Sequence, residues 1–206
     1  MKGYFITFEG GEGSGKTTQL ARLAEYLEKK GHTVCATREP GGTVTCEAIR
    51  SILLDPQKIN YTPKAELFLY LADRAQHLSE VILPALAKKQ IVLCDRFTDS
   101  TLAYQGAARG LPLRKVQSMA RFAANDIKPD LTLLLDIDVK KGLARLKTRT
   151  EINRLDLEAN AFHQKVRDEY LALAMQEPER IYCIHADSSE RQVFMKIRKA
   201  IDDLLQ

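Results

Sequence analysis

The chain has 206 residues, 45% of them hydrophobic and 28% charged, with a formal net charge of +4. That length and apolar content suit one sizeable core and a single domain spanning residues 1–206; so small a positive balance does not imply a protein that coats nucleic acid, though it would help draw anionic phosphates to a cleft. The first apolar run stops at Glu9 and Gly10, too short for a signal peptide, and no stretch approaches the ~20 apolar residues of a membrane span, so the expectation is a cytoplasmic protein with no nucleic-acid or membrane partner.

In chain order, a β-rich apolar run at 4–9 reads as the first strand and 15–30 as the first helix. Strand 33–37 leads into helix 43–54 and a long helical pattern over 63–89. Strand 91–95 precedes helices at 98–103 and 113–125, strand 131–136 precedes helices at 140–146 and 157–176, and strand 181–186 with helix 189–205 closes the chain. The alternation predicts an α/β fold, a five-stranded parallel sheet with helices on both faces. No repeat or Pro/Gly-rich linker divides the chain. Segment 140–156 is basic, with Lys140, Lys141, Arg145, Lys147, Arg149 and Arg154, and reads either as a solvated helix face or as a mobile flap; charge alone favours the first. Cys35, Cys46, Cys94 and Cys183 are far apart and read as reduced thiols, and the scattered His32, His77, His163 and His185 read as structural.

Between the first strand and first helix, Gly10, Gly11, Glu12, Gly13, Ser14, Gly15, Lys16 and Thr17, with Thr18 following, match G-x-x-x-x-G-K-[ST]. Glycines let successive backbone N–H groups face one concavity, and the helix adds the positive end of its dipole, so polyphosphate is the natural occupant. Lys16 would reach the β- and γ-phosphates and Thr17 would serve a magnesium ion. Kinases, GTPases and motor ATPases share such a loop, but no N-K-x-D base-reading motif is present, which leaves an enzyme with an acceptor site. At the carboxyl end of strand 91–95, Asp95 and Arg96 are either a structural ion pair or a site where Asp95 organises magnesium and Arg96 grips a phosphate.

The R-E-P-G-G-T stretch of 38–43, and Asp95, Arg96, Phe97, Ser100, Ala103, Tyr104 and Gln105 in a D-R-[YF]-x-x-S-x-x-A-Y-Q pattern, join the phosphate loop and the basic segment in an order that resembles bacterial thymidylate kinases. The resemblance implies a P-loop nucleoside monophosphate kinase fold with a short basic lid near 140–156. It also implies ATP-dependent phosphorylation of thymidine monophosphate (dTMP) to the diphosphate by direct in-line transfer, in dTTP synthesis, with Mg²⁺, in a homodimer. By the same resemblance Lys16, Glu39, Arg96, Arg149 and Arg154 are catalytic; Glu12, Arg50, Tyr70, Arg74, Arg96, Thr101 and Gln105 bind substrate; and Thr17 and Asp95 hold the metal. Tyr70 would stack on the base with Phe68 in the core, although a shifted alignment exchanges the two. The phosphate loop lacks the arginine of eukaryotic-type members, so Arg145, Arg149 and Arg154 are the available lid donors. Asn153 and Phe97 depart from the family's usual acid and Tyr. A deoxynucleoside kinase and a nucleotide-dependent switch are the rival readings; acceptor profiling separates the first, and the missing base-reading motif argues against the second.

Overall fold

The computed structural model describes residues 3–56, 61–146 and 153–206. Strands β1 (Tyr4–Glu9), β2 (Val34–Arg38), β3 (Ile91–Asp95), β4 (Leu131–Asp136) and β5 (Ile181–His185) form one sheet in the order β2-β3-β1-β4-β5. All pairings are parallel, with Ile6 opposite Leu93 on one side and Leu131 on the other. The inner strands β1, β3 and β4 are buried on both faces and need no polar alternation, which is why they read as short apolar runs, whereas β2 and β5 at the edges are partly exposed.

Helices α1 (Lys16–Lys29) and α9 (Glu190–Leu204) cover one face, packing Leu23, Leu27 and Ile197 on Ile6, Phe8 and Leu133. On the other face lie α3 (Pro63–His77), α6 (Leu113–Ala123) and α8 (Asn160–Gln176), whose Leu67, Val116 and Val166 share one apolar cluster with Leu134. Helix α2 (Val44–Leu54) packs against α3. No helix of the described residues is long and apolar enough to cross a membrane.

The long helical run predicted over 63–89 is not uniform: after α3 it widens into a π-helical turn at Leu78–Ile82 and resumes as α4 (Leu83–Ala87). Pro84 stands just beyond the wide turn; it cannot donate to the ladder, and its ring would crowd the carbonyl one turn back in a regular helix. The helix predicted at 98–103 begins as α5 (Thr98–Thr101) and continues as a second π-helical turn, Leu102–Ala108. Predicted helix 157–176 starts later, because Arg154–Leu157 forms a separate 3₁₀ turn. Asn153, where the family usually has an acid, caps that turn: its side chain accepts from Leu155 N (2.8 Å) while Asp156 accepts from Asn153 N (2.9 Å).

Half of the basic segment is a packed helix. In α7 (Val139–Leu146) Gly142 and Leu146 are buried and Lys140, Lys141 and Arg145 face solvent. Gly142 lies so close to the phosphate loop that a Cβ there would come within 2.3 Å of the Glu12 carbonyl oxygen, and a Cβ on Gly13, at φ 70°, would come within 2.1 Å of the Gly142 carbonyl oxygen. Two glycines therefore let α7 back directly onto the loop. Lys147 and Arg149 lie outside the described residues.

Candidate active site

The carboxyl ends of β1, β2 and β3 open into a cavity of about 570 Å³, the position where open parallel sheets hold ligands. Its wall carries Glu12, Lys16, Thr17 and Asp95 at one end and Tyr70, Arg74, Thr101 and Gln105 at the other, with Glu39, Arg50 and Arg96 also on it. Residues separated by most of the chain are thus brought to one space.

At the loop end, Gly15 caps α1 in a left-handed conformation, and the buried Lys16 ammonium turns back to donate to the carbonyls of Gly10 (3.0 Å) and Gly11 (2.9 Å) and to Ser14 Oγ (3.3 Å). Burial, then the charge of Arg96, lowers its pKa to about 8, against the carboxylates of Glu12, Asp95 and Glu9. Thr17 Oγ1 donates to Asp95 Oδ2 at 2.9 Å, tying the loop to the end of β3; Thr18 is exposed. Arg145, on the neighbouring α7, donates to the carbonyls of Gly13 (3.2 Å) and Ala186 (3.3 Å).

Arg96 connects the two ends. Its φ of 75° places a non-glycine residue in the left-handed region, a strain that persists only where surrounding contacts enforce it. Here Glu9, fully buried at the end of β1, accepts from Phe97 N (2.7 Å), Ser100 Oγ (2.6 Å) and Tyr170 OH (2.7 Å), fixing the residues that follow Arg96. Burial, then the charge of Asp99, pushes Glu9 up to about 7. The Arg96 guanidinium donates to Glu12 at 2.6 Å and lies 4.9 Å over the Tyr104 ring, whose hydroxyl donates to the same Glu12 oxygen at 2.7 Å. Burial opposes ionisation of Glu12, but Arg96, Lys16 and the Tyr104 hydroxyl outweigh it and hold Glu12 down at about 2.

At the far end Arg74, 2% exposed, donates to Glu39 Oε2 (2.8 Å), Thr101 Oγ1 (2.6 Å) and the Phe97 carbonyl (2.9 Å). His77 Nδ1 meets the other Glu39 oxygen at 3.0 Å and its Nε2 meets Thr37 Oγ1 at 2.6 Å. Ligand atoms of Glu39, His77 and Cys94 all lie within 4.8 Å of one another, but these hydrogen bonds already engage both Glu39 oxygens and both His77 nitrogens. Arg50 donates to the Pro40 carbonyl at 2.7 Å; burial, then the charge of Arg38, lowers its pKa.

Tyr70 lines the cavity, whereas Phe68, expected in the core, is 53% exposed. The buried residues of α3 are Glu66, Leu67, Leu71, Asp73, Arg74 and His77, and Phe68 is not among them. Arg154, expected at the transferring phosphoryl group, turns instead toward α2 and α3: it donates to the Leu53 carbonyl (3.0 Å) and to Glu66 (2.7 Å) and lies over Tyr61. Glu66, 1% exposed, needs cationic partners at such depth. Arg149 lies outside the described residues. Sequence reasoning missed Glu9, Glu66, Tyr104 and Tyr170. Glu9 was findable by the argument already applied to Asp95, that an acid ending an apolar strand is costly unless used; the partners of Glu66 carry no local signal.

With this geometry in hand, a sequence model of the family described as thymidylate kinase matches residues 8–197. The thymidylate kinase of Pelobacter propionicus is 50% identical over 197 residues, covering 93% of this chain and 90% of the relative. That of Pseudomonas fluorescens is 49% identical over 205 residues, covering 100% and 96%. A crystal structure of thymidylate kinase from Ehrlichia chaffeensis superposes with a TM-score of 0.81 at 33% identity, over 98% of this chain and 99% of the other.

Proposed function

The chain belongs to the thymidylate kinase family, and from that premise we propose how its cavity serves the family's reaction. It has the P-loop nucleoside monophosphate kinase fold and phosphorylates thymidine monophosphate to the diphosphate. ATP is the donor and transfer is direct and in line. The observation that carries this reading is the shared cavity, in which the Lys16 loop and the Tyr70–Arg74–Thr101–Gln105 group face one space joined by Arg96.

Phosphoryl transfer through a loose transition state asks a protein mainly to align the reactants and neutralise spreading charge. The loop from Gly10 to Thr18 holds the donor polyphosphate, and Lys16 gives up its carbonyl partners for phosphate oxygens. Arg96 and Arg50 aim the acceptor phosphate, whose oxygen is already ionised at neutral pH, so no strong base is required. Glu12, kept ionised, orients Arg96 and meets the acceptor sugar. Glu39 holds Arg74 toward the base, and Tyr70 stacks on it. On the family resemblance alone Arg149 serves the transferring group, and Arg154 joins in that role only by releasing Glu66. A kinase of this family is expected to use a divalent metal, and the Thr17 hydroxyl and Asp95 carboxylate, hard oxygen donors held together, suit Mg²⁺. When bound, the metal neutralises charge on the donor phosphates. On the family resemblance alone we further propose a cytoplasmic homodimer.

Product analysis by chromatography tests this: ATP, Mg²⁺ and thymidine monophosphate should yield ADP and thymidine diphosphate one for one. ADP formed without the diphosphate, at a rate independent of acceptor, would refute it.

A further inference from the structure

Gln105 is almost wholly buried, lines the base end of the cavity, and makes one side-chain hydrogen bond among the described residues, from Nε2 to Glu66 Oε1 at 2.9 Å. An amide side chain is ambiguous by itself, since oxygen and nitrogen exchange by a half-turn. Its neighbour removes the ambiguity. An ionised carboxylate only accepts, so the Gln105 atom beside it must be the nitrogen. Glu66 stays ionised because, although burial opposes its charge, Arg109 and Gln105 bond it and Arg109 and Arg154 face it as cations. The carbonyl oxygen of Gln105 is the amide atom left for the cavity.

At the same end Arg74 donates to Glu39, Thr101 and the Phe97 carbonyl, so its guanidinium presents only donors. A wall with a fixed donor in Arg74 and a fixed acceptor in Gln105 matches a pyrimidine edge that pairs a C4 carbonyl with an N3–H. Cytosine reverses both, with an amino group at C4 and a bare N3, and would leave buried groups facing their own kind.

We propose that Glu66 is a specificity-determining positioning residue: by fixing the Gln105 amide it makes the site accept 4-oxo pyrimidine monophosphates and reject 4-amino ones. The inference rests on the reading of the cavity given above. In Glu66→Gln the neighbour becomes an amide that both donates and accepts, Gln105 is free to turn over, and rejection of cytosine weakens.

The test is kcat/KM for thymidine monophosphate and deoxycytidine monophosphate, with saturating ATP, in wild type, Glu66→Gln, Gln105→Met and the double variant. Glu66→Gln should lower the thymidine:cytidine ratio by about 10–100-fold, as expected for a site built around one buried hydrogen bond, with KM for ATP unchanged. In the Gln105→Met background the same change should move the ratio less than about twofold, since the two residues act as one unit. Glu66→Asp, which keeps a carboxylate facing Arg109 and Arg154 but draws back the oxygen that Gln105 and Arg109 share, should reproduce the loss of selectivity if Glu66→Gln fails to fold. An equal fall on both acceptors with the ratio intact, or an undiminished ratio change in the Gln105→Met background, overturns the role of Glu66. Wild type that uses the cytidine acceptor as readily as the thymidine one overturns the cavity reading, and this inference with it.

Discussion

At the loop end of the cavity the buried cation, Lys16, bonds two backbone carbonyls and a hydroxyl, while at the base end the buried cation, Arg74, bonds the buried carboxylate of Glu39. Neutral partners are given up cheaply when phosphate arrives, and the lowered pKa of Lys16 reflects a charge still short of compensation. A buried ion pair is costly to break, so Arg74 stays where it is and shapes the site. One end is poised to exchange its contacts; the other is finished before any ligand enters.

The sharpest way to separate the ends is to delete each cation. Lys16→Met should reduce kcat by at least ~10²–10³-fold, the scale of losing one preorganised transition-state donor, with little change in melting temperature; steady-state kinetics beside a thermal melt would show both. Arg74→Lys should do the reverse in kind. A single ammonium cannot reach Glu39, Thr101 and the Phe97 carbonyl together, so about 3 kcal/mol of stability should be lost, a fall of ~6–12 °C in Tm for a chain of this size. Equal stability of the two variants would break the comparison.

A finer contrast comes from pH. Burial, then the charge of Glu39, pushes Asp73 up to about 7; its Oδ1 accepts from Gly41 N at 2.9 Å and its Oδ2 is buried with no hydrogen-bond partner among the described residues. A carboxyl group whose folded pKa is raised contributes stability that is fully present below its unfolded pKa and is lost as pH rises through the folded value. Tm of the wild type should therefore fall from pH 5 to pH 8, and Asp73→Asn, which keeps the Gly41 bond, should fall by ~5–10 °C less over the same range. The smallest effect is expected at the junction: Tyr104→Phe removes one hydrogen bond to Glu12 and should cost kcat/KM about fivefold.

The same contrast explains what could be read from the sequence. Phosphate binding is local, a run of glycines ending in Lys16 and Thr17 between a strand and a helix, and the strand-helix alternation gave the sheet and its layers. The base end is held by contacts across the chain: Glu66 meets Gln105, Arg109 and Arg154 at separations of 39, 43 and 88 residues, and no spacing rule joins them. The family resemblance implies Arg154 at the phosphate, but a buried carboxylate competes for it and it pairs with Glu66. The two π-helical turns were illegible for another reason. A turn widened by one residue barely alters an apolar stripe, so a single helix is read through it.

Turnover of thymidine monophosphate, deoxycytidine monophosphate and unphosphorylated thymidine, measured side by side with ATP and Mg²⁺, tests most directly the claim that one end reads phosphate and the other reads the base. The account predicts that thymidine monophosphate exceeds each of the others by at least ~10²-fold in kcat/KM. Thymidine turned over as well as its monophosphate would contradict the roles of Arg50 and Arg96 and the division of the cavity itself.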